Sequence, residues 1–178
     1  RYLQDMVGFL SFSWAISQAM PARELVGDRP TSSLFSIYTI SSVLGMWAIN
    51  MIFLQAAMTL VMSHEDFEPF PVHKVRVTEW WKLSRNWETT TVFFMYTFQQ
   101  FWSAVVFSFG HLFRLPWYKN LVLLFLFVTG FGFLVFLLLS EPNVFTDFFH
   151  LAYQTITDRE PWSLEEPCPA MPRDLRVR

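Results

Sequence analysis

Leu121-Val-Leu-Leu-Phe-Leu-Phe-Val-Thr-Gly-Phe-Gly-Phe-Leu-Val-Phe-Leu-Leu-Leu139 carries no charge, and only Thr129, Gly130 and Gly132 interrupt its large apolar side chains. No period gives it a polar face. A helix apolar all round is either deeply buried or in lipid. A hydrocarbon core about 30 Å thick takes about 20 residues of helix, and this stretch has that length. Three more charge-free blocks precede it. They are Met6–Met20, Pro30–Ser63 with its apolar body from Leu34 to Met62, and Thr89–Leu112 apart from His111, with its body between Thr90 and Gly110. A soluble domain of 178 residues is too small to bury several such helices. The blocks are continuous rather than alternating, which favours helices over a barrel. The expectation is an all-α membrane protein, a bundle of four transmembrane helices.

The boundaries follow from the charges. Residues 1–20 hold a first, truncated membrane helix, since the chain opens on Arg1 rather than Met. Residues 21–33 form a cytosolic connector, and 34–62 the second membrane helix. An extracytosolic loop covers 63–88, the third helix 89–110, a cytosolic loop 111–120 and the fourth helix 121–140. An extracytosolic, Pro-rich tail runs from 141 to 178. The side assignment rests on the density of Arg23, Arg29, Arg114 and Lys119 in the two short connectors. By bare count it ties with Lys74, Arg76, Lys82 and Arg85 in the long loop. No small-residue cleavage site follows the first block, so it does not read as a secretory signal.

Composition excludes several classes. Apolar residues make up 53% and charged residues 16%, against roughly 25% charged in a typical soluble domain. Aromatics reach 19%, which excludes a disordered chain. The 13 basic and 15 acidic residues leave a net charge of −2, with no basic run suited to a nucleic-acid backbone. One cysteine, Cys168, allows neither an intrachain disulfide framework nor a multi-Cys metal site, and reads as a free thiol.

Few residues can carry chemistry. Asp5 stands 16 residues before Pro21, about 24 Å along a helix, which places a carboxylate well inside the bilayer. Such a group costs several kcal/mol unless paired or wetted, and marks a transport path or a structural pair. Arg1, one turn away, is the structural alternative, and an interfacial position for Asp5 is another. Tyr96, Gln100, Ala104 and Ser108 recur at spacing four as a polar, small-residue stripe suited to helix packing, with Gln99 and Ser103 beside it. Ser41 and Gly45 form a second small pair, with Asn50 following. His64, Glu65, Asp66, Glu68 and His73 lack the spacing of a metal site. Trp80, Trp81 and Trp87 read as an interfacial belt. No phosphate-binding glycine loop or Ser/His/Asp arrangement is present, so these residues alone hydrolyse no ATP.

The order of these features resembles a known family. Arg23-Glu-Leu-Val-Gly-Asp-Arg-Pro-Thr-Ser-Ser-Leu-Phe-Ser36 is similar to the connector between the sixth and seventh membrane helices of type V P-type ATPases. Asn86-Trp-Glu-Thr-Thr-Thr-Val-Phe-Phe94, Phe98-Gln-Gln-Phe101, Val105-Val-Phe-Ser-Phe-Gly110 and Phe113-Arg114 resemble their eighth helix and the loop after it. Tyr2-Leu-Gln-Asp-Met6 resembles the start of the sixth helix, and Met171-Pro-Arg-Asp-Leu-Arg176 the approach to the tenth. The long loop departs from the shorter Trp-rich form, and no tenth helix is present.

The resemblance implies helices six to nine of an ATP-driven translocase. The B subgroup, which exports polyamines and cations from late endosomes, lysosomes or vacuoles, fits better than the A subgroup. The latter extracts misplaced helices in the endoplasmic reticulum. The rival from another class is a non-catalytic four-span scaffold. The resemblance implies that Tyr2, Gln4 and Asp5 bind substrate. It also implies that ATP and Mg act in cytosolic domains upstream, which carry the phosphorylated Asp-Lys-Thr-Gly motif. Partners are the lipid bilayer, the rest of the same protein and the cation or polyamine, with no nucleic acid and no metal held by these residues.

Overall fold

Each charge-free block forms a helix. They are α1 Tyr2–Ser17, α2 Ile37–Met62, α3 Trp87–Phe107 and α4 Leu121–Leu139, followed by a short α5, Val144–Phe148. The computed structural model describes residues 2–22, 24, 27, 35–67, 69, 86–108, 113–153 and 171–172, with the backbone alone for residues 2–4. Among these residues there is no β-strand, and one isolated antiparallel bridge joins Pro21 to Arg114. Among the described residues two helices, α2 and α4, are long and apolar enough to cross a membrane. α1 has 16 residues, and the 21 residues of α3 include Glu88, Gln99 and Gln100. Glu68, His73, Trp80, Trp81, Cys168 and most of the Arg23–Ser36 connector lie outside the described residues.

The chain divides into two compact units, Arg1–Phe53 with Thr97–Phe133, and Leu54–Tyr96 with Leu134–Arg178. The first is built on aromatic rings. Phe12 of α1 meets Phe101 of α3 edge-on at 5.0 Å, and Phe127 and Phe131 of α4 stack on one another at 5.5 Å. Phe101 meets both α4 rings at right angles. Edge-to-face geometry suits the ring quadrupole. Below the rings Ala15, Ala104 and Leu123 are buried together. The close approach of α3 to α4 depends on Gly130, where a Cβ would stand 2.7 Å from the Phe101 ring.

In this unit the two short connectors pair with each other. Ala22 N–H donates to Phe113 O and Leu115 N–H to Met20 O, each at 3.0 Å. Asn120 caps both ends of this junction. Its Oδ1 accepts from Leu123 N–H at 3.2 Å at the start of α4, and its Nδ2 donates to Ala15 O at 2.7 Å near the end of α1. A helix terminus leaves backbone groups without intrahelical partners, and one amide side chain satisfies both kinds here.

The second unit corrects one reading of the sequence. Trp87, expected in an interfacial belt, is only 4% exposed. It is buried with Val61, Ala152 and Met171, and its ring meets those of His64 and Phe67. The tail supplies part of that cover, through Ala152 and Met171. Asn143 starts α5 with a reciprocal capping box to Thr146. His150, at φ 51, ends it, with its own N–H on Asp147 O and Leu151 N–H on Thr146 O. That pair of bonds is the Schellman arrangement. The chain then ties down. Ala152 N–H donates to the Thr90 hydroxyl at 3.1 Å, Tyr153 O–H to Leu137 O at 3.1 Å, and Met171 N–H to Ala152 O at 2.7 Å.

Candidate functional site

Asp5 lies in the first turn of α1, because the helix begins at Tyr2, four residues before the charge-free block. A carboxylate there meets the positive end of the helix dipole. Its side chain is half-buried and has partners within the protein. The backbones of Tyr2 and Gln4 are in the same turn; their side chains lie outside the description, as does Arg1.

The direction of Asp5 follows from the rest of its helix. Residues 5, 8, 12 and 15 share one face, by the spacing of three and four that aligns side chains on a helix. Further along that face, a Cβ at Gly8 would lie 3.4 Å from Gln100 Oε1, Phe12 meets the Phe101 ring, and Ala15 is fully buried with Ala104. Asp5 therefore continues, by one turn, the face with which α1 packs on α3. Thr97, one turn before Phe101 on α3, is buried.

The stripe Tyr96, Gln100, Ala104 and Ser108 does not share one environment. Tyr96 is 47% exposed, Gln100 is half-buried, and Ala104 and Ser108 are buried. The reason is geometric. At about 3.6 residues per turn a spacing of four advances by about 40° each step, so three steps carry the row about 120° around the helix. Ser108 Oγ donates to Ala104 O at 2.6 Å and so spends its polarity on its own chain.

The neighbouring amide is the one that bridges. Gln99 Nε2 donates to Asn50 O of α2 at 2.8 Å. Two consecutive glutamines, about 100° apart on a helix, thus face two different helices. Ser41 and Gly45 take no part in that contact. Both are exposed, and nothing lies within 4 Å of a Cβ built at Gly45. The side of α2 turned inward runs instead through Met46, Asn50 and Leu54.

Sequence reading missed Gly8, Gln99 as a tie to α2, and Asn120 as a double cap. Gly8 had a signal, as the lone glycine of an otherwise bulky block. Asn120 had one too, standing immediately before an apolar block where an N-cap belongs. Gln99 had none, because its acceptor is a backbone carbonyl 49 residues away.

This face of α1 offers one carboxylate, Asp5, which can hold an ammonium by charge and by accepted hydrogen bonds; the Gln100 amide and the Phe12–Phe101 ring pair stand further along it. These groups contain no nucleophile–base pair. Among the described residues no three His, Cys, Asp or Glu gather to hold a metal, and the His64 ring lies 3.8 Å from the Asp66 carboxylate.

No family model matches the chain. Among curated proteins it is similar to the Polyamine-transporting ATPase 13A3 of Mus musculus, at 31% identity over 131 residues. That match takes in 66% of this chain and 11% of the length of the mouse protein. With two helices long and apolar enough to cross a membrane, the similarity supports a membrane region related to a P-type ATPase.

Proposed function

We propose that this chain is the late-helix membrane part of a P-type ATPase that moves a cation or polyamine across an endomembrane. In this reading α1 to α4 all cross the bilayer and correspond to helices six to nine of the family. The short connectors joined at Pro21 and Arg114 face the cytosol. The protein belongs with the B subgroup in late endosomes, lysosomes or vacuoles. ATP and Mg are handled by residues outside these 178, and the chemistry they supply there is phosphoryl transfer. The part left to this chain is mechanical and substrate-binding. α1, α3 and α4, tied by Asn120 and by the Phe101 ring cluster, act as a support against which earlier helices move.

The observation that carries the substrate reading is the position of Asp5. It is half-buried, in the first turn of an apolar helix, on the face that packs on α3 rather than on an exposed side. A carboxylate so placed attracts a cation. Tyr2 and Gln4, in the same turn, complete the proposed site.

The test is polyamine-stimulated ATP hydrolysis in the full-length parent, with spermine as probe and a melting curve alongside. Asp5→Asn should melt as the wild type does and lose most of the stimulation, since the amide keeps volume but not charge. Full stimulation in Asp5→Asn removes the residue from the site. Rescue of both stability and turnover by adding Arg1→Gln assigns Asp5 to a structural ion pair instead.

A further inference from the structure

We propose that the turn between α3 and α4 is a binding rim for the phosphate headgroups of anionic phospholipids. The proposal rests on the membrane reading above, and it assigns a ligand to residues 113–119 that the transport reading leaves unused.

The turn is pinned at both ends. Upstream, Phe113 and Leu115 are hydrogen-bonded to Ala22 and Met20. Downstream, a 3-10 turn, Trp117–Lys119, stops at Asn120, whose side chain is buried and bonded to Ala15 O and Leu123 N–H. Trp117 is half-buried against Phe127 at 6.0 Å. Between the pins Arg114, Tyr118 and Lys119 stand exposed. A site held this way loses little conformational freedom when a ligand binds.

The place of the turn along the chain fixes its depth. Leu121, 75% exposed, opens 19 residues of charge-free helix. The hydrocarbon boundary therefore falls within two residues of Lys119. Trp and Tyr rings prefer this level, and each basic residue near an anionic leaflet is drawn to it.

Charge points the same way. The segment from Phe113 to Asn120 contains Arg114 and Lys119 and no acid. Among the described residues neither cation forms an ion pair. Glu24, exposed two residues past the paired Ala22, is the described acid of that connector, and it is joined to neither of them. Two exposed cations with fixed backbones, at headgroup depth beside two amphipathic rings, fit a lipid phosphate. Arg114 can grip it with its guanidinium fork and Lys119 as a point charge.

The experiment reconstitutes the full chain in vesicles of phosphatidylcholine mixed with phosphatidylserine and counts both lipids retained after extraction, by native mass spectrometry. The wild type should retain phosphatidylserine in preference. Arg114→Gln and Lys119→Gln should each reduce that preference about five-fold, without lowering the melting temperature, and Arg114→Lys should keep most of it. Equal retention of the two lipids by the wild type, or an unchanged preference in the double variant, overturns the proposal. So does inorganic phosphate in solution abolishing the preference, which would assign the cations to a free ion. A chain that enters neither these vesicles nor phosphatidylcholine alone overturns the membrane reading itself.

Discussion

Among the described residues α2 and α4 are the two helices that are each long and apolar enough to cross a membrane, and they are used in opposite ways. α4 buries Leu123, Leu134 and Leu137 on one face, and its aromatic rings and Gly130 receive Phe101 of α3. α2 is longer, at 26 residues, yet all but seven of its positions are exposed. Six of those seven, Thr39, Met46, Asn50, Leu54, Ala57 and Val61, form one narrow face. Its described tie to α3 is the bond from Gln99 to a backbone carbonyl. Enough length and apolarity to cross a membrane thus says nothing about how tightly a helix is held. Lipid rewards any apolar side chain alike, so packing must come from shape and from a few polar ties.

The largest effect should separate the two helices by truncating one leucine on each. Leu123→Ala removes a fully buried side chain from α4 and should cost about 2–5 kcal/mol. Leu44→Ala, on the exposed side of α2, should cost under about 1 kcal/mol, because lipid or detergent fills the gap. Detergent melting curves compare them directly. Equal losses would mean that α2 is held as firmly as α4.

A smaller contrast adds one methyl to each helix. Gly130→Ala drives a Cβ into the Phe101 ring, which Phe12, Phe127 and Phe131 hold in place, and should cost about 1–3 kcal/mol. Gly45→Ala meets nothing and should be neutral or stabilising by up to about 1 kcal/mol through helix propensity. A neutral Gly130→Ala, read by the same melting assay, would show that α3 and α4 can separate freely.

The smallest effect tests the single tie. Gln99→Leu should cost about 0.6 kcal/mol, the average for a side-chain hydrogen bond between membrane helices. It should leave α4 packing intact, as judged by near-UV circular dichroism of the aromatic cluster. A loss of several kcal/mol would mean that α2 depends on this bond far more than one amide contact can explain.

Charge-free length and the residues at block ends were enough to locate the four long helices. Apolar runs leave a backbone no other way to satisfy its hydrogen bonds away from water. The helical range also carries Asp5 into a first turn, a placement the local sequence allows because nothing in Tyr2-Leu-Gln-Asp breaks a helix. The folded tail was partly legible, since Asn143-Val-Phe-Thr146 is a capping pattern. Tertiary structure alone decided the rest. Which side of α4 is buried has no trace in a helix without a polar face. Trp87 is buried rather than interfacial because Ala152 and Met171, more than sixty residues away in the chain, cover it. Ser108 is buried and Tyr96 exposed because a row at spacing four precesses around a helix of 3.6 residues per turn. Composition sets what a helix may touch, and only the neighbouring helices set which face it turns toward them.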